Sequence, residues 1–186
     1  MKYFKEQKYR PALILAGFLG VCAVVLIYVA FFARRTPMQV ARANPSETGW
    51  TLVCDTKEHT LSLFIQSKEA GPNEWKPVLY NSFPCATGIP VEINGKMVSR
   101  TPLGKTSIHF KERSHIFEDC RSWYNCWLRG GFGIHSTMYA RDELTPEHEV
   151  DGRLGIDASS RCIRVKLKIA KWIYKNIPED TPVVVY

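Results

Sequence analysis

The sequence predicts a mainly β domain with one short helix near its C-terminus, preceded by a single N-terminal transmembrane helix. Three observations carry this expectation. Short runs of alternating apolar and polar residues, separated by polar turns, recur from Trp50 to Tyr186. Only one downstream segment, just after Cys162, places apolar residues at helical spacing. The 23 residues from Pro11 to Ala33 carry no charge.

That uncharged run includes Leu13, Ile14, Leu15, Phe18 and the stretch Val24 to Ile27. At about 1.5 Å per residue it is long enough to cross a hydrocarbon layer with some tilt. A cleaved signal peptide is the rival reading, but its apolar region is normally about 7–15 residues long. Cys22 follows Val21 rather than a small residue, which argues against a lipidated leader. The net charge is +7, yet residues 1–35 hold six basic residues against Glu6, leaving 19 basic and 17 acidic residues downstream. The basicity therefore flanks the apolar run and makes no case for a nucleic-acid partner. Four basic residues precede the run and two follow it, so the positive-inside bias makes 1–10 a cytoplasmic tail, 11–33 the anchor, and the remainder extracytoplasmic.

Residues 34–49 combine Arg34, Arg35, Pro37, Arg42, Asn44, Pro45, Ser46 and Gly49 and read as a spacer with little to bury. Trp50–Asp55 and Thr60–Ile65 alternate around the polar Thr56-Lys57-Glu58-His59, a hairpin pattern. A further strand is expected over 76–86, ending at Thr87-Gly88. A turn at Thr101-Pro102-Leu103-Gly104 then leads into a strand through Ile108 and Phe110. Gly130 to Ile134 feed a strand into His135, and Pro182 to Tyr186 form a last one. Ile169, Ala170, Ile173, Tyr174 and Ile177 share one helical face, with lysines between them. Asn176 and Pro178 end the helix, predicting it over 165–176.

Six cysteines fit an oxidising location. With Cys22 in the apolar run, two pairs plus one free thiol is an economical reading: Cys120 with Cys126 across a loop, Cys54 facing Cys85, and Cys162 free. Five reduced, apolar cysteines are the alternative. Cys162 would sit at a turn-to-helix junction whose unpaired backbone N–H groups favour a thiolate and later an oxyanion, with His135 upstream as a partner. A buried structural cysteine is the competing reading. Trp123, Tyr124 and Trp127 fit either a lid over a groove or an ordinary aromatic cluster in an Ω-like loop. His59, His109, His115 and His148 read as surface or packing residues. The spacing of Cys120, Cys126 and His115 is not that of a zinc site.

Several blocks occur in a fixed order: Ala86-Thr87-Gly88, Thr101-Pro102-Leu103-Gly104, Gly133-Ile134-His135-Ser136, and Ser159-x-x-Cys162-Ile163-Arg164. Ile177-Pro178-Glu179-Asp180-Thr181-Pro182-Val183 closes the series. Together they resemble the L,D-transpeptidase catalytic domain of the YkuD type over about residues 50–186. The resemblance implies a YkuD-like β-sandwich in which the His and Cys elements meet at one groove near the cell wall. It implies acyl transfer through a thioester on peptidoglycan stem peptides, forming 3→3 cross-links or exchanging or removing the terminal D-amino acid. Cys162 would be the nucleophile and His135 the base, with the Ser136 carbonyl orienting the imidazole. Backbone N–H groups around Arg161 and Cys162 would receive the oxyanion, and Ser160, Arg161 and Arg164 would border the substrate. The chemistry requires neither metal nor organic cofactor.

Two departures from the family pattern stand out. Ser160 and Arg161 occupy positions where the family usually has His and Gly, and an Arg forced to positive φ would cost about 1–2 kcal/mol. The stretch from His135 to Cys162, with Arg141-Asp142-Glu143 and Glu147-His148-Glu149, reads as an inserted surface loop. A catalytically weak or inactive wall-binding module on the same fold is the alternative function. A sortase is a third candidate, disfavoured because Arg164 follows Cys162 so closely and the Thr-Pro-Leu-Gly block has no sortase counterpart.

Overall fold

A computed structural model describes residues 34–186, so the predicted tail and transmembrane segment lie outside the described residues. No helix among the described residues is long and apolar enough to cross a membrane. The compact unit begins at Thr36, well before the expected boundary at residue 50.

The expected hairpin forms as β1 (Trp50–Asp55) and β2 (Thr60–Gln66), and β3 (Pro77–Pro84) extends it antiparallel. Three short strands follow: β4 (Thr87–Gly88), and the exposed hairpin of β5 (Val91–Ile93) with β6 (Lys96–Val98). The long β7 (Gly104–Ile116) then turns back into β8 (Cys120–Leu128) and β9 (Phe132–Ser136). Next come β10 (Met138–Ala140), β11 (Glu149–Asp151), β12 (Asp157–Ser159) and β13 (Ile163–Val165). The C-terminal helix, α2 (Leu167–Asn176), and β14 (Pro182–Val185) complete the chain.

The strands form a sheet of order β11-β10-β8-β7-β14-β1-β2-β3, with β9 branching from β8 and β13 pairing β9. Strand β7 is long enough to serve two layers. Its first residues, Gly104 to Ser107, pair with β14, and Ile108 to Ile116 pair with β8. Side chains of both layers meet in one core: Leu52, Leu61 and Leu63 on one side, Ile108, Leu128, Ile134 and Ile163 on the other. Ala170, Ile173 and Ile177 close it from α2. The apolar face of α2 is thus the face the periodicity predicts, although the helix starts at Leu167 because 163–165 are committed to β13.

The spacer reading of 34–49 does not hold. Pro37–Arg42 form a short helix, α1, with Thr36 as N-cap: its hydroxyl accepts from the Gln39 N–H while the Gln39 side chain accepts from the Thr36 N–H. Val40 and Ala41 are buried against Val53, Phe64 and Val184, on the face of the sheet opposite the main core. Two small apolar residues in a polar stretch are a weak signal, and the helix is too short to show periodicity.

The predicted disulfides do not form: Cys54, Cys85, Cys120, Cys126 and Cys162 are all free thiols. Cys54 and Cys85 do face each other, with sulfurs 4.0 Å apart rather than bonded. Cys120 and Cys126 lie on one extended strand, not around a loop. At about 3.3 Å per residue they are roughly 20 Å apart.

Because α1 covers apolar surface that would otherwise meet water, a chain starting at Trp50 is expected to be less stable than one starting at Thr36. The loss should be about 2 kcal/mol or more in urea unfolding.

Candidate active site

The parallel pairing of β13 with β9 sets Ile163 against Ile134, Arg164 against His135 and Val165 against Ser136. Two distant sequence blocks become neighbours through this register. Ile134 and Ile163 point into the core, so strand alternation sends His135 and Arg164 to the opposite face. Cys162 sits immediately before β13, in the bend 160–162, which the Ser159 hydroxyl closes by donating to the Cys162 carbonyl at 2.5 Å.

The other motif blocks support this bend. Ala86 and Arg164 exchange two backbone hydrogen bonds, both 2.9 Å, and β4 pairs with β12 so that Gly88 lies beside Ser159. The Gly88 N–H donates to Thr101 Oγ1 at 2.7 Å. A Cβ on Gly88 would lie 2.6 Å from the Thr101 amide nitrogen, so only glycine allows this approach. The Ala-Thr-Gly and Thr-Pro-Leu-Gly blocks therefore brace each other behind the turn that holds Cys162.

His135 is 1% exposed. Its Nδ1 lies 2.7 Å from the Ser136 carbonyl oxygen, which accepts only if Nδ1 carries the proton. That bond assigns the tautomer and leaves Nε2 with its lone pair. Burial lowers the pKa of His135 to about 4, against the partial opposition of the Ser136 carbonyl bond; the charges of Arg164 and His115 add to the lowering. Ser136 is held in turn, its hydroxyl accepting from the Trp123 N–H at 2.9 Å and donating to the Thr137 carbonyl at 2.5 Å.

Burial also raises the pKa of the Cys162 thiol, opposed first by a hydrogen bond from the Gly133 backbone and then by Arg164 and Arg161. The thiol's backbone donor is thus on β9. The expected donor, the N-terminus of α2, begins only at Leu167, beyond β13. Cys162 and His135 line one cavity of about 310 Å³ with Phe117, Cys120, Met138 and Arg164. A larger depression of about 490 Å³ near Pro45, Lys105 and Asp180 holds neither thiol nor imidazole. Cys120 was unforeseen in this cavity, and burial pushes its thiol up to about 11, away from competing thiolate chemistry.

Ser160 and Arg161 are exposed at the cavity rim, and Arg161 donates to the Gly130 carbonyl at 3.4 Å. Arg161 is not among the residues with positive φ, so the strain expected of an Arg at the family's Gly position does not arise. Arg164 is paired with Asp151 at 2.7 Å, and its Nε is buried without a protein partner. Asp151 also accepts from Arg153, and these two guanidinium groups, Arg153 foremost, hold its carboxyl well below the usual carboxylate range.

The stretch after His135 is therefore only partly a surface loop. It folds back as the β10–β11 hairpin and delivers Asp151 to Arg164. The three aromatic residues do not form the cavity wall. Trp123 is buried, Tyr124 packs near Tyr174, and Trp127 lies over Gly133. Residues 117–120, at the tip of the β7–β8 hairpin, border the cavity instead. Among the described residues no group of three or more His, Cys, Asp or Glu is placed to hold a metal ion.

The sequence profile of the YkuD L,D-transpeptidase catalytic domain matches residues 49–185. YciB of Bacillus subtilis (strain 168), which bears an L,D-transpeptidase name, is 42% identical over 68 residues, 37% of this chain and 34% of that protein. Among solved structures, a Clostridium acetobutylicum protein described as a fused Zn-dependent amidase, peptidase and peptidoglycan-binding protein superposes with a TM-score of 0.55 and 25% identity. The match covers 80% of this chain and 57% of that one. An L,D-transpeptidase from Mycobacterium smegmatis gives 0.51 at 17% identity, over 74% and 58% of the two chains, a likeness of fold. The chain thus spans about a third of the curated relative and under two thirds of these structures.

Two outcomes follow from the site's electrostatics. With a folded-state pKa of about 4 against an ordinary value of 6.5, His135 stays neutral while the unfolded chain takes up a proton as pH falls. Its contribution to stability is complete above about pH 6.5 and is lost progressively towards pH 4, by about 3 kcal/mol. Urea unfolding across that range should show this loss reduced in His135→Gln. Asp151→Ala should cost about 2 kcal/mol in the same measurement, because it strands the Arg164 charge.

Proposed function

The chain belongs to the YkuD family of L,D-transpeptidase catalytic domains, and on that premise we propose that it is a cysteine-dependent L,D-transpeptidase acting on peptidoglycan stem peptides through a thioester. The observation that carries this reading is the meeting of Cys162 with a neutral, tautomer-fixed His135 in one cavity.

Both groups rest uncharged, since burial disfavours the thiolate and the imidazolium alike. The thiol proton therefore passes to His135 Nε2 as the sulfur attacks the donor carbonyl, rather than residing there beforehand. The carbonyl oxygen takes up negative charge against the backbone N–H groups around Arg161 and Cys162. As the tetrahedral intermediate collapses, the S–C bond remains and the C–N bond to the terminal D-amino acid breaks. Its nitrogen leaves with the proton from His135, which is expelled readily because the imidazolium is poorly tolerated at this buried site. A side-chain amine of a neighbouring stem then loses its proton to Nε2 and attacks the thioester. This restores the thiol and forms a 3→3 cross-link. Water or a free D-amino acid in the acceptor's place gives trimming or exchange.

Arg164 stands beside His135 with one guanidinium nitrogen committed to Asp151 and its Nε unpaired, suited to a stem carboxylate. Arg161 and Ser160 border the entrance. An anchor over 11–33, with the unit from Thr36 on the outer side, would hold this cavity close to the wall.

Intact-protein mass spectrometry of the full chain with a carbapenem and with a stem tetrapeptide tests the proposal. A covalent adduct on Cys162 is expected, absent in Cys162→Ala and formed at least about 100-fold more slowly in His135→Ala. A folded chain with a reactive Cys162 and no adduct or product would sink the enzymatic reading in favour of a wall-binding module.

A further inference from the structure

A second groove, of about 560 Å³, opens on the catalytic side of the sheet. Its floor is aromatic: Phe110 and Trp127 lie in stacked orientation with centroids 6.2 Å apart, and His115 meets Trp127 edge-on at 5.0 Å. These rings are held in place. Glu112 Oε2 lies 2.9 Å from the Trp127 indole nitrogen, which donates to it, and 3.1 Å from His115 Nδ1. Phe110 is 48% exposed although Ile108, two residues earlier, is fully buried. Regular alternation would put both on the same face; a register shift between them sends Ile108 to Leu128 in the core and Phe110 outward beside Trp127.

The groove lies beside the cavity around Cys162. Trp127 packs over Gly133, where a Cβ would come within 3.2 Å of the indole, and the same Gly133 contributes the backbone bond to the Cys162 sulfur. Arg161, at the cavity rim, reaches the carbonyl of Gly130 in the groove wall. Phe117 of the cavity and His115 of the groove are 4.8 Å apart.

We infer that this groove is a saccharide subsite, where N-acetylated hexosamine rings of the glycan strand stack on Phe110 and Trp127 while their stem peptide reaches Cys162. The inference rests on the stem-peptide reading above. Pyranose rings present a face of C–H groups with slight positive charge, complementary to the negative face of an aromatic ring. Their rim of hydroxyl and amide groups needs polar neighbours, which Arg129, His109 and Glu112 supply at the groove. The glycan is the part of the substrate that continues beyond the stem's first residue, and the groove lies beside the cavity proposed to hold the third. Trp127 begins the groove next to Gly133, and Phe110 continues it by a further ring spacing.

Two measurements on the full chain in detergent test the subsite. In the first, glycan strands stripped of their stems by an amidase are titrated by calorimetry. Binding is expected, weakened about fivefold or more in Phe110→Ala and retained in Phe110→Tyr, with unchanged thermal unfolding certifying each fold. No binding by the folded wild type, or binding indifferent to Phe110→Ala, overturns the subsite. In the second, kcat/KM is compared for disaccharide-linked and free tetrapeptide. The linked substrate should be preferred, through KM, and Phe110→Ala should erase that preference. Equal kcat/KM for the two substrates in the wild type would also overturn it. If neither substrate reacts, the proposed activity fails, while the glycan titration still decides the subsite.

Discussion

Everything at this site depends on the parallel ladder between β9 and β13. It is only three residue pairs long, yet it joins the segment that carries His135 to the segment that begins just after Cys162. A slip by one residue would turn His135 into the core and Ile134 out to solvent, because strand side chains alternate with period two. The burial of Ile134, Ile163 and Val165 fixes that register, since each is fully buried in the main core. Core packing thus sets the placement of His135 and Cys162 at one cavity. The two backbone bonds between Ala86 and Arg164, and the close approach of Gly88 to Thr101, secure the same ladder from its other edge.

Burial is also the main electrical influence on the site. It depresses the imidazole of His135 and raises the thiol of Cys162, so it favours the neutral form of both, and two nearby arginines oppose it only at the thiol. Arg161 acts on the thiol alone, and Arg164 acts on both members. Arg164 helps to lower the imidazole pKa and opposes the rise of the thiol pKa, while part of its own charge is met by Asp151. A cavity built in this way favours an uncharged thiol and an uncharged imidazole together.

Strand β7 links the layers of the fold and has two chemical roles. Its beginning pairs with β14, its remainder pairs with β8, and its bulge separates Ile108 from Phe110. One strand thereby contributes a core residue and an exposed ring two positions apart. The hairpin it forms with β8 ends at the cavity, so the tip beside Cys162 and the aromatic groove belong to one two-stranded ribbon.

The sequence by itself determined the mainly β character, the β1–β2 hairpin, the apolar face of α2, and the ordered blocks around His135 and Cys162 that mark the family. Each of these is local: alternation, helical spacing and short motifs are all written within a dozen residues or so. The contacts that depend on distant segments were decided only by the tertiary structure. Val40 and Ala41 look like spacer residues until the outer face of β1, β2 and β14 is there to cover. Cys120 and Cys126 look bridgeable until their segment is drawn out as a strand, and Asp151 looks like part of a surface loop until β11 folds back onto Arg164. The thiol's donor, assigned from the sequence to the helix start, is the Gly133 backbone, because three residues of strand intervene before α2. Hydrogen bonds and ion pairs between segments far apart in the chain leave no periodic trace, since their partners are chosen by the packing of the sheet and not by their neighbours in sequence.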